Sequence, residues 1–264
     1  MGGDWMGEEG AERPTVGGDS DMGEEGAKRP TVGGDSDMRE EGAKRPTVGI
    51  AGEPVNVAVD VVCVTLRAET IVLVVRRGHE PFSGSWSLPG GSVGRDEDLE
   101  EAARRVLSEG LGPHEPRHME QLASFGAPDR DPRGRVVSVS YLALLPKPVE
   151  PRPAGRWWPV SGPPALAFDH AEILASAVER LRAKLSYSNV AYGLLPEEFT
   201  LSDLQCVYEA VLGRTVDKRN FRKQVLSRGM LEEAEGQRRG SHRPAQLYRF
   251  AAARLVLLDD VITV

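Results

Sequence analysis

The chain has 264 residues and a formal net charge of −7, with 40% hydrophobic and 28% charged residues. A length of this order predicts about two domains. The sequence has no run of about 18 apolar residues, so we expect no membrane-spanning helix. Its first residues lack the basic start and apolar core of a secretory signal, so we expect no secreted protein.

Metal-binding and disulfide frameworks are not predicted. Cys63 and Cys206 lie far apart, each in an apolar pattern, which indicates buried reduced thiols in a cytoplasmic protein. His114 and His118 have a spacing of four, but Pro113 and Pro116 break the helix that would align them. Both histidines are therefore predicted to be loop residues.

Residues 1–49 form an acidic tandem repeat. They carry 12 acids against 6 bases and contain 12 glycines but no Leu, Ile, Phe or Tyr. Units such as MGEEGAERPTVGGDSD recur with a period of 16. Such a segment cannot bury enough apolar surface to offset chain entropy, so it is predicted to be disordered. It is either a small interaction array or a repeat expansion, and translation could also begin at Met38.

The middle of the chain mixes strands with two helices, which predicts an α+β fold. Alternating apolar residues at 55–63 indicate a strand with one buried face, and 71–75, 135–145 and 157–160 are further strand candidates. Helical spacing from Leu99, after an acidic start, predicts a helix stopped by Gly110 and Gly112. Asp169 and Glu172 form the pattern of a capping box before a second helix.

A Gly-rich turn and an acid-rich helix span residues 90–113, GGSVGRDEDLEEAARRVLSEGLGP. The turn lets the backbone approach a ligand, and clustered carboxylates can hold Mg²⁺ against a diphosphate. This segment resembles the Nudix box, G-x5-E-x7-R-E-U-x-E-E-x-G-U with U apolar. The matching residues are Gly91, Glu97, Arg105, Leu107, Glu109 and Gly112. Residues 124–141 are similar to ADP-ribose-type members, and the resemblance implies a Nudix α/β/α sandwich.

Two acids of the Nudix box are missing, because Val106 follows Arg105 and Gly110 follows Glu109. In the family the R-E-U-x-E-E part of the box supplies the metal carboxylates. Here Glu109 is the one acid of the three that remains, and a single carboxylate cannot clamp Mg²⁺ on a diphosphate. We therefore expect no catalytic residues and no required cofactor, with Glu97 and Glu109 as remnants. Enzymatic activity stays an open question at this point. If the chain is a working hydrolase, it would require Mg²⁺.

A pocket that keeps its shape without a metal can still bind a nucleotide through oriented cations, an aromatic platform and close backbone. The candidate effector-binding residues are Arg77, Trp86, Gly90, Gly91, Arg130 and Arg133. Each side chain also has a plainer explanation, Trp86 as a core residue and the arginines as solvated charges.

Residues 214–249 reverse the charge, with 10 bases against 4 acids. A capping box from Thr200 to Asp203 opens a helix that Gly213 ends, and Asp217 can cap a second, basic helix. The basic segment RRGSHRP follows at 238–244. This order predicts a winged helix-turn-helix, with the second helix in the major groove and the hairpin on phosphates or in the minor groove. The predicted DNA-binding residues are Lys218, Arg219, Arg222, Lys223, Arg238, Arg239, His242 and Arg243.

A degenerate Nudix box followed by LQCVYEAVLGRTVDKRNFRKQVLSRGML and HRPAQLYRF resembles the Nudix-related transcriptional regulators of NAD metabolism, the NrtR type. The resemblance implies disordered repeats at 1–49, a Nudix-like ligand-sensing domain at 50–186 and a winged helix-turn-helix at 187–264. It implies a cytoplasmic, homodimeric repressor that binds double-stranded operator DNA and ADP-ribose or a related nucleotide, without membrane contact.

Two alternatives stay open at this point. The first is an active Nudix hydrolase of ADP-ribose or another nucleoside diphosphate derivative. The second is a regulator of the same build that senses a sugar, as arabinose-type relatives of this architecture do.

Overall fold

The computed structural model describes residues 54–238, 244–258 and 262. The repeats predicted to be disordered at 1–49 lie outside the described residues, as do the predicted DNA-binding residues Arg239, His242 and Arg243. The first part of the described chain contains β1 (Asn56–Leu66), β2 (Thr70–Arg76), β3 (Trp86–Ser87), β4 (Gly90–Ser92), α1 (Leu99–Leu111), β5 (His118–Phe125), β6 (Val136–Leu144), β7 (Gly155–Pro159) and α2 (His170–Tyr187).

These strands form one mixed sheet with β1 near its centre. The order is β3-β2-β1-β6-β5, while β4 pairs with β1 and β7 pairs with β2. β1 runs parallel to β6 and antiparallel to β2 and β4. α1 packs on one face of the sheet and α2 on the other. This part of the chain is therefore the predicted α/β/α sandwich.

Both faces of β1 are buried, although the alternation at 55–63 predicted only one. Val61 and Cys63 belong to the core beneath α1. Val62 and Val64 belong to the core beneath α2. A strand between two helix layers has no solvent face, so its sequence becomes a continuous apolar run.

α1 begins at Leu99, as the helical spacing and the acidic start predict, and a capping box that was not predicted lies at its N-terminus. The Asp98 side chain accepts the backbone N–H of Glu100 at 2.8 Å, and the Glu101 carboxylate accepts the backbone N–H of Asp98 at 3.0 Å. Gly112 caps the C-terminus at φ +74°. Gly110, predicted as a stop, lies inside the helix. A glycine suits this position because a Cβ here would lie only 3.1–3.3 Å from side chains of β2.

The predicted capping box of α2 is wrong. Asp169 is the N-cap residue, but its side chain makes no capping hydrogen bond, and Glu172 therefore has no partner in a box. Arg130 instead binds both oxygens of the Asp169 carboxylate, at 2.6 and 2.8 Å. α2 has 18 residues, and no described helix is long and apolar enough to cross a membrane.

The C-terminal part folds as the predicted winged helix-turn-helix. A 3₁₀ helix (Val190–Leu194) precedes β8 (Phe199–Thr200), α3 (Leu201–Leu212), α4 (Lys218–Ser227), β9 (Leu231–Arg238) and β10 (Ala245–Phe250). β10 lies between β8 and β9 and is antiparallel to both. Thr200 and Asp203 form the capping box of α3, which ends at the left-handed Gly213. Asp217 caps α4 by accepting the backbone N–H of Asn220 at 2.7 Å.

One hydrophobic cluster joins the sandwich to the winged helix. It contains Leu181 and Leu185 of α2, Tyr192 of the 3₁₀ helix, Tyr208 of α3 and Phe221 of α4. Residues 51–264 accordingly form one compact unit. The boundary placed between residues 186 and 187 falls at the end of α2 and stays a prediction.

The cysteines and histidines do not all lie where the sequence placed them. Cys63 is buried, and burial raises the pKa of its thiol. Cys206 is exposed on α3, so its predicted burial is wrong. His114 lies in a loop, but His118 begins β5 and is buried. The apolar pattern around Cys206 belongs to its neighbours on α3, which face the core while the thiol faces outward.

Candidate functional site

A cavity of about 340 Å³ opens at one end of the sheet, between β1, β4 and the N-terminus of α2. Five of the six predicted effector residues line it: Arg77, Gly90, Gly91, Arg130 and Arg133. Further lining residues include Asp60, His79, Asp131, Phe168 and His170, none of which the sequence reading singled out. The fold thus brings five separate stretches of the chain to one concave surface.

The two glycines of β4 are required by close packing. A Cβ at Gly90 would collide with the Asp60 carboxylate and would lie 2.9 Å from the Val59 carbonyl oxygen. A Cβ at Gly91 would lie 3.2 Å from a methyl group of Val106. Glycine at both positions therefore lets β4 pair closely with β1 and pack against α1, with its backbone at the cavity wall.

Arg77 holds an unused donor at the cavity. Its guanidinium lies over the Phe168 ring, 4.7 Å from the centroid, and its Nε donates to the Pro81 carbonyl at 2.9 Å. Its Nη2 atom is buried and has no hydrogen-bond partner in the described part of the chain. Burial and the nearby Arg133 lower the pKa of Arg77. A buried cationic donor without a partner is costly, and an anion in the cavity would satisfy it.

A buried ionic network of Asp60, Arg130 and His170 forms part of the cavity floor. Asp60 accepts the Ser138 hydroxyl at 2.6 Å and lies 3.3 Å from both Arg130 Nη2 and His170 Nε2. Burial alone would raise the pKa of Asp60, but His170, Ser138 and Arg130 outweigh burial, and the pKa lies below its usual value. The backbone N–H of Leu88 donates to His170 Nδ1 at 2.9 Å. This bond leaves the imidazole proton on Nε2, facing Asp60.

The predicted arginines are differently occupied. Arg130 is buried, and its guanidinium is shared between Asp169 and Asp60. Arg133 lies at the mouth, half exposed, and binds both oxygens of Asp131 at 2.7 and 3.0 Å. Arg130 therefore shapes the cavity floor and fixes the start of α2, whereas Arg133 can turn toward a ligand.

Trp86 lies away from the cavity lining. It sits between Arg76 and Arg156, whose guanidinium carbons are 5.2 and 5.9 Å from its ring centroid, and its ring is 6.1 Å from that of Trp158. It packs against the core on the α2 side. The structure thus places this aromatic side chain apart from the other five candidate effector residues.

The remaining acids of the Nudix-like box are both held by Arg105. Arg105 Nε and Nη2 donate to the two oxygens of Glu97 at 2.7 and 2.9 Å, and Nη1 donates to Glu109 at 3.2 Å. The hydrogen bonds from Arg105 and from the Gly94 backbone lower the pKa of Glu97 to about 2. Both carboxylates are therefore paired with Arg105 on the solvent side of α1.

The positions that lack acids face the sheet. Val106 is 2% exposed, and the Gly110 backbone accepts the N–H of Arg152 at 2.8 Å. A carboxylate at either position would enter an apolar layer. Among residues 54–238, 244–258 and 262, no group of three or more His, Cys, Asp or Glu side chains could hold a metal ion. The donor set of α1 does not fit the Mg²⁺ of a working Nudix box.

The basic residues of the winged helix fall into two groups. Lys218, Arg219 and Lys223 are exposed on α4. Arg222 contacts α3 instead, with its Nη2 donating to the Ser202 hydroxyl at 3.3 Å. Arg238, at the end of β9, binds the Asp203 carboxylate at 2.7 Å. The side chains of the first group can therefore reach phosphates. In the second group, Arg222 ties α4 to the first turn of α3, and Arg238 ties the end of β9 to the same turn.

Comparisons with known proteins match this architecture. The NUDIX domain model matches residues 55–179, and the model of the NrtR DNA-binding winged helix domain matches residues 191–250. The "ADPR responsive transcriptional repressor NtrR" of Acinetobacter baylyi is 37% identical over 189 residues, which cover 68% of this chain and 75% of that protein. The chain belongs to the NrtR family.

Solved structures agree with membership of the NrtR family. The crystal structure of Shewanella oneidensis NrtR is 35% identical, with a TM-score of 0.70, and the match covers 78% of this chain and 99% of that one. The same protein complexed with a 27mer DNA is 33% identical, with a TM-score of 0.69 and the same coverage.

A second relative by sequence is similar to a shorter part of the chain. This ADP-ribose pyrophosphatase of Methanocaldococcus jannaschii is 34% identical over 107 residues, covering 39% of this chain and 63% of that protein.

Proposed function

We propose that this NrtR-family chain is a transcriptional repressor of NAD-related metabolism that responds to ADP-ribose or a related nucleotide. The observation that carries the proposal is the buried, unpartnered Nη2 of Arg77 in a cavity that shares one chain with a basic winged helix. The A. baylyi relative is named for its response to ADPR, and the S. oneidensis relative was crystallised with DNA. The chain would act in the cytoplasm as a homodimer on operator DNA.

ADP-ribose suits the chemistry of the cavity. The volume of about 340 Å³ lies within the range of small-molecule sites. A diphosphate offers anionic oxygens to Arg77 and Arg133, and charge-assisted hydrogen bonds are stronger than neutral ones. The Gly90 and Gly91 backbone allows the diphosphate to approach closely. Because the two arginines neutralise its charge, the ligand needs no metal ion.

The response to the ligand follows from linkage. A nucleotide in the cavity would change the relative pose of the two winged helices of a dimer. The two recognition helices would then no longer match the spacing of the operator half-sites, and DNA affinity would fall. The size of this effect is limited by the difference in nucleotide affinity between the two poses.

Nudix hydrolysis is the second candidate, and the similarity to the M. jannaschii ADP-ribose pyrophosphatase favours it. It requires a metal clamp, which buried Val106 and closely packed Gly110 do not provide. A neutral sugar is a weaker fit than a nucleotide, because it would leave the Arg77 cation without an anionic partner.

The proposal can be tested by calorimetric titration of ADP-ribose into the full chain and into Arg77→Met. We expect Arg77→Met to weaken binding by about 10-fold or more, since a hydrogen bond to a charged group is worth about 1.5–3 kcal/mol. Arg76→Met is the matched control, because Arg76 neighbours Arg77 in the chain but lies over Trp86, outside the cavity lining. It should bind like the wild type.

The same proteins would be assayed with Mg²⁺ and ADP-ribose for product release. Turnover of about 1 s⁻¹ or more would favour the hydrolase and overturn the sensor. Equal affinity of Arg77→Met and the wild type would remove Arg77 from the site. Stronger binding of arabinose than of ADP-ribose would overturn the nucleotide proposal.

A further inference from the structure

α2 connects the cavity to the winged helix. Its first residue, His170, lines the cavity and faces Asp60, and its last turns contact α3. The Leu185 carbonyl accepts the Tyr208 hydroxyl at 3.1 Å, and Arg182 Nε donates to the carbonyl at the end of α3 at 3.0 Å. Its 18 residues span about 27 Å at 1.5 Å per residue. One rigid element therefore touches both functional regions.

β5 lies beside α2 and is tied to it at both ends. At the cavity, Arg130 in the loop after β5 grips the Asp169 carboxylate at the start of α2. In the middle, Arg180 donates to the Leu122 carbonyl at 3.1 Å. At the far end, Lys184 Nζ donates to Glu120 at 2.7 Å. A displacement of Arg130 by a ligand would therefore be carried along the β5–α2 pair.

The far end of this pair is a polar cluster of His118, Glu120, Lys184 and Tyr192. His118 Nδ1 lies 2.9 Å from the Tyr192 hydroxyl, and His118 Nε2 lies 3.4 Å from Glu120. His118 and Lys184 are buried and Glu120 is only 17% exposed in its side chain. Tyr192 belongs to the segment that opens the winged helix match. The cluster joins the sandwich to the DNA-binding region at one point.

The junction also has room to move. A cleft of about 820 Å³ is lined by α2, α3 and the β1–β2 turn, and by none of the four cluster residues. Across it, Thr70 donates to the Ala210 carbonyl at 3.0 Å. A shift of α3 relative to α2 on this side would widen or close the cleft without emptying a filled core.

We infer that the polar cluster and α2 transmit occupancy of the cavity to the winged helix, and that Lys184 and Tyr192 position the DNA-binding region in response to the ligand. The inference rests on the proposed function. It assigns regulation to residues that lie outside both the cavity lining and the basic face of α4. Buried polar contacts favour discrete arrangements over gradual deformation, which is what a two-state response needs.

The test compares the full-length wild type with Lys184→Met and Tyr192→Phe. The DNA probe is a fragment recovered by mapping the sites that the chain binds in its own genome. Three quantities are measured for each protein: affinity for ADP-ribose alone, affinity for DNA alone, and affinity for DNA with saturating ADP-ribose. The ratio of the two DNA affinities is the coupling factor. Lys147→Met is the matched control, since Lys147 is exposed in the loop after β6.

Both variants should keep ADP-ribose affinity and ligand-free DNA affinity near wild type, while the coupling factor falls by about 5-fold or more. Lys147→Met should keep the full factor. A wild-type factor in Tyr192→Phe, which removes one hydroxyl only, would overturn the inference even if Lys184→Met failed to fold. Absence of any ADP-ribose effect on wild-type DNA binding would overturn the proposed function, and with it the inference.

Discussion

Val106 and Gly110 show how a catalytic motif can be lost without loss of the helix that carried it. Val106 adds apolar surface to the layer between α1 and the sheet, and Gly110 lets β2 approach the helix closely. Both residues therefore contribute to packing at positions where the Nudix pattern has acids. The same two residues thus account both for the missing acids of the pattern and for the packing of α1 on the sheet.

Restoring the acid should therefore damage the fold without restoring hydrolysis. Val106→Glu would place a carboxylate without a partner among Ala103, Leu107 and Val59. We expect the free energy of unfolding to fall by about 3–5 kcal/mol, as for an uncompensated buried charge. Denaturant titration measures this, with Val106→Ala as the control that removes volume without adding charge. Wild-type stability together with Mg²⁺-dependent turnover would show that the side chain reaches the cavity instead.

At the scale of single residues, five of the six predicted effector-binding residues line one cavity, and their role in binding stays a prediction. Gly90 and Gly91 could be singled out because they lie at the start of the Nudix-like pattern, and Arg77 because it follows the strand candidate at 71–75. Asp60 and His170 could not, since they are 110 positions apart and only the folded sheet and α2 bring them to 3.3 Å. No local pattern marks such a pair.

At the scale of elements, local chemistry predicted the helix ends that depend on it. The predicted capping box at Thr200 and the predicted stop at Gly213 act within a few residues of the backbone they satisfy. The box at Asp98 acts over the same range, but only the acidic start of α1 was predicted. The predicted capping box at the start of α2 was wrong, because the Asp169 side chain bonds to the distant Arg130 and not to the backbone of its own helix. The two buried faces of β1 were also missed, because alternation gives no account of a second helix layer.

α4 offers a prediction for the exposed basic group. Arg219→Ala should weaken DNA binding several-fold and reduce the slope of log affinity against log salt by about 0.9, the value for one phosphate contact. Arg254→Ala removes the same charge from the exposed C-terminal segment beyond β10 and should leave the slope unchanged. Fluorescence anisotropy at several salt concentrations measures both. An unchanged slope in Arg219→Ala would remove α4 from the phosphate contacts.

At the scale of the whole molecule, the sandwich and the winged helix share one apolar cluster. Two separate domains were predicted from length and charge, and the charge reversal at 214–249 does mark the DNA-binding region. Composition could not show that α2 contributes Leu181 and Leu185 to the same core as Tyr208 and Phe221. The regions are distinct in sequence and continuous in packing.

This continuity predicts a single unfolding transition. Leu181→Ala should lower the stability of both regions together, by about 3–5 kcal/mol, because Leu181 is 2% exposed in the shared cluster and its loss leaves a cavity. Calorimetry should give one peak at a lower temperature, and hydrogen exchange should show β6 and α3 losing protection by the same free energy. Leu257→Ala is the control, since Leu257 is 66% exposed and should cost little. Two resolved peaks, with α3 alone losing protection, would mean that the winged helix unfolds independently, and α2 could not then act as a rigid connection between ligand and DNA.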